Sequence, residues 1–204
     1  MSSPKYMMVT VASCAPSFVS DALNHLGTLC EELKGQAGAA TTRYGQMATG
    51  EHTGQLILFQ TYAELNGVDA AFSVYQSSAA YKAIISSGHV AVTFRNILKI
   101  EDLGLKNPST DVPAYGVTTR WGCPDLKLDE MRAEVHNFED NGAMIIRYCT
   151  IMTGPAAGRR VLVVGYPSMD AIQNTYEALR GSAGYNALLQ EFDMDWRNII
   201  RVAG

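Results

Sequence analysis

Charged residues are scarce in this chain, and long apolar runs are missing. Asp, Glu, Lys and Arg make up 18% of 204 residues, and the net charge is -4. We expect no nucleic-acid partner, because phosphate contacts need clustered Lys and Arg and the basic residues of this sequence form no such cluster. The sequence contains no stretch of about 18 apolar residues, which a membrane-spanning helix would need. Its N-terminus lacks the charged n-region and the long apolar h-region of a signal peptide. The sequence therefore predicts a cytoplasmic protein without a membrane segment.

The usual catalytic and metal-binding motifs are also missing. The sequence has no HExxH, GxSxG, Walker loop or GxGxxG motif, and its four histidines are isolated from one another. The four cysteines show no CxxC spacing, and a chain of this size does not need disulfides, so we expect free thiols. We therefore predict neither a metal site nor a cofactor.

What the sequence does contain is an internal duplication. Six short segments recur at one constant offset, and a further match follows with the offset reduced by two. The matching segments are Arg43-Tyr44, Thr49-Gly50, Gly54, Tyr62, Ser78-Ala79, Tyr81 and Phe94 to Ile100, which recur as Arg147-Tyr148, Thr153-Gly154, Gly158, Tyr166, Ser182-Ala183, Tyr185 and Trp196 to Val202. We therefore predict two repeats, residues 1–103 and 114–204, joined by a Gly- and Pro-containing linker at 104–113.

Periodicity predicts the same order of elements in each repeat: strand, helix, strand, strand, helix, strand. The first helix has an apolar stripe from Val19 to Leu33 and is predicted to stop at Gly35. The second helix is predicted to break near Ser77-Ser78 in one repeat and between Gly181 and Gly184 in the other. This order is that of a ferredoxin-like βαββαβ unit, with both helices on one face of an antiparallel sheet.

The opposite face of such a sheet is apolar and must be covered. A second copy in the same chain offers a matching face, related by a pseudo-two-fold axis. We therefore predict an α+β fold in which two tandem ferredoxin-like units pack sheet to sheet as a barrel-like core, with four helices outside.

This unit, with Tyr75-Gln-Ser-Ser-Ala-Ala-Tyr81 on its second helix, resembles the dimeric α+β barrel superfamily, whose familiar members are antibiotic-biosynthesis-type monooxygenases. The resemblance covers both repeats, as a single-chain version of the dimer. The resemblance implies one of the activities found in that superfamily, which includes cofactor-free oxygenases, haem-degrading enzymes, haem peroxidases and isomerases. Haem-binding members commonly supply a histidine from the second helix, but the matching segments, 71–85 and 175–189, contain none.

Two repeated dipeptides are candidates for a ligand pocket. Arg43-Tyr44 and Arg147-Tyr148 could line two equivalent pockets and hold an anionic oxygen or a phenol. The alternative is that residues kept in both repeats serve packing and barrel closure, an interpretation that also applies to Arg95-Asn96 and Arg197-Asn198.

Residues that differ between the repeats are a second kind of candidate, because a fused pair can keep one pocket and lose the other. Trp121 aligns with Ala12, and the tryptophan could either wall a ligand cavity or fill a gap in the core. His89 has no clear counterpart and is the histidine to test first.

These features leave two functions open. One is an enzyme similar to the cofactor-independent monooxygenases or related isomerases, acting on a small apolar or aromatic molecule. The alternative is a non-catalytic protein that binds a small ligand or a protein partner, supported by the lack of a convergent acid, base and nucleophile. The sequence also leaves open a further homo-oligomer.

Overall fold

The computed structural model describes residues 3–105, 109 and 111–204. In the described ranges each repeat contains four strands and three α-helices, because its second helix is divided in two. The first repeat consists of β1 (Tyr6–Cys14), α1 (Val19–Ala37), β2 (Thr41–Met47), β3 (Leu56–Tyr62), α2 (Leu65–Ser77), α3 (Ala79–Ser86) and β4 (Val90–Glu101). The second consists of β5 (Tyr115–Gly122), α4 (Leu128–Glu139), β6 (Ile145–Ile151), β7 (Arg160–Tyr166), α5 (Met169–Gly181), α6 (Ala183–Glu191) and β8 (Asp193–Val202).

Helix α1 is longer than the sequence predicted. Its apolar stripe buries Leu26, Leu29 and Leu33, but the predicted stop at Gly35 is wrong, because the helix continues to Ala37. It ends where Gly38 adopts a φ of 66°, a left-handed conformation that costs glycine little because it has no Cβ. No helix in the described ranges combines the length and apolarity that crossing a membrane requires.

A serine divides the second helix of each repeat, where the sequence predicted a break. Ser78 Oγ accepts a hydrogen bond from the backbone N of Tyr81 at 3.0 Å, and Ser182 Oγ accepts one from Tyr185 at 3.2 Å. Each serine has an extended ψ and caps the helix that follows. The repeated Ser-Ala pair is therefore explained by local structure, and the resulting kink sets the position of the tyrosine three residues later.

The eight strands form one closed antiparallel barrel. The order within the first repeat is β4–β1–β3–β2, and that within the second is β6–β7–β5–β8. The two sheets join at both edges, where β2 pairs with β8 and β4 pairs with β6. The sheets therefore share backbone hydrogen bonds as well as an apolar face, and no strand edge is left open.

Alternation along the strands divides the core into three parts. Along β1, Met7, Val9 and Val11 point into the barrel, whereas Met8 and Ala12 point toward the helices. One core therefore lies inside the barrel, and one lies between each sheet and its helices.

Reciprocal contacts between the repeats explain a second group of repeated residues. Thr49 Oγ1 accepts a hydrogen bond from the backbone N of Ile199 at 3.1 Å, and Thr153 Oγ1 accepts one from Ile97 at 3.0 Å. A glycine follows each threonine. A Cβ at Gly154, which follows Thr153, would lie 2.7 Å from Asn96 Oδ1. The Thr-Gly pair of each repeat thus binds the last strand of the other repeat. This contact agrees with the interpretation that the repeated Asn96 serves packing between the repeats.

Candidate functional site

Trp121 and Tyr148 lie together in the core between the second sheet and its helices. Trp121 is 2% exposed and stacks on Tyr148 and Phe192, with ring centroids 5.8 and 4.9 Å away. The hydroxyl of Tyr148 donates to the backbone oxygen of Leu126 at 2.5 Å, and burial raises the pKa of this phenol. The cavity left beside Trp121 has a volume of about 20 Å³, which favours the interpretation of Trp121 as a core residue.

Tyr44 and His89 lie apart from this pair and from each other. Tyr44 is half-buried, on the helix side of β2, and a Cβ at Gly27 would lie 2.9 Å from its hydroxyl. Burial raises the pKa of Tyr44. His89 is exposed between α3 and β4, with its ring 5.3 Å from that of Phe18. The structure therefore does not bring these two residues into one site.

Arg43 and Arg147 share one cavity, whereas the sequence suggested two equivalent pockets. Both side chains are half-buried and point into the same end of the barrel. Equivalent residues meet there because the pseudo-two-fold axis runs along the barrel. The aromatic pair Phe94 and Trp196 meets in the same way toward the other end.

A cluster that the sequence did not single out lies between the first sheet and its helices. Arg95 Nε donates to Thr10 Oγ1 at 2.9 Å, and Arg95 Nη2 donates to the hydroxyl of Tyr81 at 3.4 Å. The guanidinium carbon lies 4.2 Å from the ring centroid of Tyr75, close enough for a cation–π contact. These four residues, which we call the Arg95 cluster, line a cavity whose other walls are apolar.

A buried amide extends the Arg95 cluster. Gln60 Nε2 donates to the hydroxyl of Tyr75, and the hydroxyl of Tyr62 donates to Gln60 Oε1 at 2.7 Å. The pKa of Tyr75 is raised mainly by burial, although the nearby charge of Arg95 opposes this. The phenol therefore stays protonated near neutral pH and can act as a hydrogen-bond donor.

The second repeat keeps part of this arrangement. Arg197 Nε donates to Thr119 Oγ1 at 3.0 Å, Nη2 donates to Tyr185 at 3.2 Å, and the guanidinium lies 4.8 Å from the ring of Tyr176. However, Arg197 is exposed where Arg95 is half-buried, and Val164 aligns with the buried Gln60. The first repeat therefore has the more enclosed and more polar site.

Ala12 and Trp121 account for much of the difference in space between the repeats. The cavity beside Ala12 has a volume of about 40 Å³, twice the 20 Å³ beside Trp121. The two repeats therefore differ in free space at the position where Trp121 aligns with Ala12, and the larger space is beside the alanine.

The adjacent residues Arg95 and Asn96 show why the sequence missed the Arg95 cluster. Asn96 contacts the turn of the other repeat, but Arg95 points to the helices, because successive strand residues face opposite sides of a sheet. The repeated Arg-Asn pair was interpreted as one structural feature. Because side chains alternate between the two faces of a strand, the sequence itself indicates that Arg95 and Asn96 have different neighbours.

The residues around the helix-side cavities do not fit haem. No histidine lines either cavity, and a volume of about 40 Å³ holds only a few water molecules. Within the described ranges, no group of three or more His, Cys, Asp or Glu side chains is placed to hold a metal ion.

The sequence matches a protein family described as a domain of unknown function, DUF6854, over residues 4–100 and 117–202. The chain belongs to this family. The two matched ranges coincide with the two repeats of the fold. No protein of curated function is detectably similar in sequence to this DUF6854 chain.

Solved structures show the same fold at low sequence identity. A candidate monooxygenase from Fusobacterium nucleatum subsp. nucleatum is 14% identical with a TM-score of 0.65, and the alignment covers 100% of this chain and 94% of that one. A chlorite dismutase variant from Candidatus Nitrospira defluvii is 8% identical (TM-score 0.61, coverage 100% and 93%). A haem-binding protein from Thermus thermophilus is 10% identical (TM-score 0.62, coverage 98% and 92%). These structures confirm the predicted fold, an α+β barrel built from two βαββαβ repeats in one chain.

The four cysteines are free thiols of two kinds. Cys14, the last residue of β1, and Cys123, just after β5, are half-buried, whereas Cys30 and Cys149 are buried. Burial raises the pKa of Cys30 to about 11 and raises that of Cys149 as well, so both stay protonated at about pH 8.

We expect Ellman's reagent to react first with the two half-buried thiols of the native DUF6854 chain. Cys30 and Cys149 should react only after unfolding in guanidinium, because they are both protonated and inaccessible. Absorbance in native and denaturing buffer counts the two classes, and C14S and C123S should each remove one rapidly reacting thiol. Equal labelling rates for all four cysteines would contradict this assignment.

Proposed function

We propose that the first-repeat cavity binds a small apolar or aromatic molecule through an anionic oxygen, and that the protein is a cofactor-independent, monooxygenase-like enzyme. The observation that carries this proposal is Arg95, a half-buried cation in a cavity whose walls are apolar outside the Arg95 cluster. No carboxylate lines this cavity, and Arg95 forms no ion pair with any described residue. An anionic ligand would supply the missing countercharge.

The surroundings of Arg95 fix its orientation. Thr10 and Tyr81 each accept one of its hydrogen bonds, and the ring of Tyr75 lies below the guanidinium plane. The third nitrogen, Nη1, makes no hydrogen bond within the described part of the chain, so it can donate to a ligand oxygen. A donor that is already positioned stabilises a developing anion without first reorganising.

A ligand would enter where the cavity reaches the surface. Ile85 on α3 and Val92 on β4 belong to the lining and are 41% and 42% exposed. Because the present volume of about 40 Å³ suits only a few waters, binding would displace these side chains outward. The apolar walls favour a flat ring, and the Arg95 cluster would hold its oxygen.

The reaction class follows from what surrounds the bound oxygen. The lining includes no carboxylate or histidine that could remove a proton, so the substrate must be acidic enough to ionise in water, with Arg95 stabilising the resulting enolate or phenolate. Such an anion can give up electrons to dioxygen directly. In the net reaction a CH2 group and O2 become a C=O group and H2O, with one oxygen atom in each product.

The duplication provides a matched control for this proposal. Oxygen uptake would be measured with aromatic ketones that carry an acidic CH2 group, using isotopically labelled dioxygen and mass analysis of the product. We expect R95Q to lower the rate by about 100-fold, as loss of an oxyanion donor does elsewhere. R197Q changes the equivalent exposed arginine and should leave the rate almost unchanged. Equal rates for R95Q and the parent protein would overturn the assignment.

A binding protein without catalysis is the second candidate, favoured by the absence of a carboxylate, histidine or cysteine from the cavity lining. 4-Nitrophenol separates the two functions, because its absorbance reports its ionisation. Under both functions R95Q, but not R197Q, should weaken binding of the nitrophenolate. Label incorporation from dioxygen should occur only if the protein is an enzyme.

A further inference from the structure

A second and larger cavity occupies one end of the barrel. Its volume is about 440 Å³, within the range of small-molecule sites. Most of its wall is apolar, and Phe59, Val163 and Val202 are only partly buried although they point into the barrel. Side chains in a filled barrel core would be fully buried, so there is unoccupied space beside these three.

Described side chains fill the opposite end of the barrel. Toward the other end, the ring of His52 lies 5.5 Å from that of Trp196 and 6.4 Å from that of Phe94. Arg120 lies 5.1 Å above Trp196, and the space left there is about 30 Å³. A ligand would therefore enter from the end that carries Arg43 and Arg147.

The two arginines occupy matching positions in this cavity. Arg43 Nη1 donates to the backbone oxygen of Thr42 at 2.7 Å, and Arg147 Nη1 donates to that of Ile146 at 2.9 Å. Each guanidinium is thereby tethered to its own strand, β2 or β6, and Arg43 Nη2 also donates to the backbone oxygen of Asp111 at 3.4 Å. The pseudo-two-fold axis brings the pair to one mouth, where both line the same space.

Burial and mutual repulsion act on this pair. Burial lowers the pKa of Arg147 most strongly, the Cys149 thiol opposes this, and the charge of Arg43 lowers it further. Arg147 forms no ion pair with a described residue. Glu101, in the adjacent groove, is already bonded to Lys99 at 3.0 Å and to Thr150 at 3.1 Å. Arg147 is therefore a cation beside an apolar cavity, and an anion placed next to it would supply the countercharge.

We propose that this end of the barrel binds one amphiphilic monoanion, with its carboxylate between Arg43 and Arg147 and its apolar tail inside the barrel. The planar guanidinium group suits a carboxylate because it can donate two parallel hydrogen bonds. The tail would contact Met7, Phe59 and Ile200. This site is distinct from the Arg95 cluster and does not depend on the function proposed for it.

Decanoate is a suitable probe, with decanol and decylamine as neutral and cationic analogues of the same length. Native mass spectrometry of the full chain should show one decanoate per chain, and calorimetry should show decanol binding about tenfold or more weakly, since it lacks the charge-assisted contacts. Decylamine should not bind. Absence of decanoate binding, or equal binding of all three probes, would overturn the proposal.

Substitutions then locate the site. R147Q should weaken decanoate binding by about tenfold or more, and R43Q should have a similar effect, because each removes one charged donor. R180Q makes the same change at an exposed arginine on α5 and should bind like the parent protein. If R147Q and R180Q bind decanoate equally well, the anion does not bind at the barrel end.

A variant without a charge change tests the tail. A Cβ at Gly116 would meet Ile200 at 3.5 Å, an ordinary contact, and a valine there would extend into the cavity. We expect G116V to fold, as judged by circular dichroism, and to lose binding of both decanoate and decanol. Unchanged decanoate affinity in folded G116V would place the tail outside the barrel and contradict the proposal.

Discussion

Replacing Gly45 by alanine is expected to destabilise the protein by about 3 kcal/mol or more, the upper range for overpacking a rigid site. Gly45 lies on β2 opposite Val202 of β8. A Cβ at this position would overlap the carbonyl oxygen of Arg201 and lie 3.0 Å from its carbonyl carbon and from Cα of Val202. All three neighbours are backbone atoms, so they cannot move aside without separating the two strands.

The cost of G45A should appear at the closure of the barrel. Pairing of β2 with β8 is one of two edges that join the repeats, and the other is β4 with β6. We therefore expect a lower midpoint in urea unfolding and faster hydrogen exchange at the β2–β8 edge than at the β4–β6 edge.

Gly35 provides the control for this substitution. It lies on the exposed side of α1, and apart from the backbone of the helix itself no described atom would lie within 4 Å of a Cβ there. G35A should stabilise the protein by about 0.5–1 kcal/mol, because alanine loses less backbone freedom than glycine in a helix. If G45A unfolds at the same urea concentration as the parent protein, β2 and β8 are far enough apart at Arg201 to accommodate a Cβ.

The duplication made the fold predictable, but it did not specify how the repeats join. Matching residues such as Ser78 and Ser182 implied two copies of one unit, and the apolar face of each sheet implied that they pack together. The β2–β8 and β4–β6 pairs could not be predicted, because unpaired strand edges carry no residue pattern that names their partner. The end of α1 at Gly38 was missed because a positive φ is not visible in sequence.

The candidate site was less predictable, for two physical reasons. Arg43 and Arg147 were assigned to separate pockets, since sequence cannot show that the pseudo-two-fold axis runs along the barrel. Arg95 was grouped with its structural neighbour Asn96, although the two face opposite sides of the sheet. The sequence could show that Ala12 and Trp121 differ, but only packing shows which of them borders the larger space.

Trp121 therefore leads to the second large effect, since its two interpretations predict different results. As a core residue stacked between Tyr148 and Phe192, its replacement by alanine should cost about 3–5 kcal/mol, as for other buried aromatic rings. As the wall of an open ligand cavity, it would face empty space, and its loss would cost much less. Urea unfolding of W121A measures this difference.

A phenylalanine at the same position separates ring packing from the polar group of the indole. Trp121 Nε1 is buried without a hydrogen-bond partner among the described residues, and an unpaired buried donor costs about 1–3 kcal/mol. W121F loses ring volume but also removes this donor, so the two effects oppose each other and the change should stay within about 1 kcal/mol. A loss in W121F as large as that in W121A would mean that the indole nitrogen is bonded in solution. A small loss in both would instead favour Trp121 as a cavity wall, and the second repeat would then need the same ligand tests as the first.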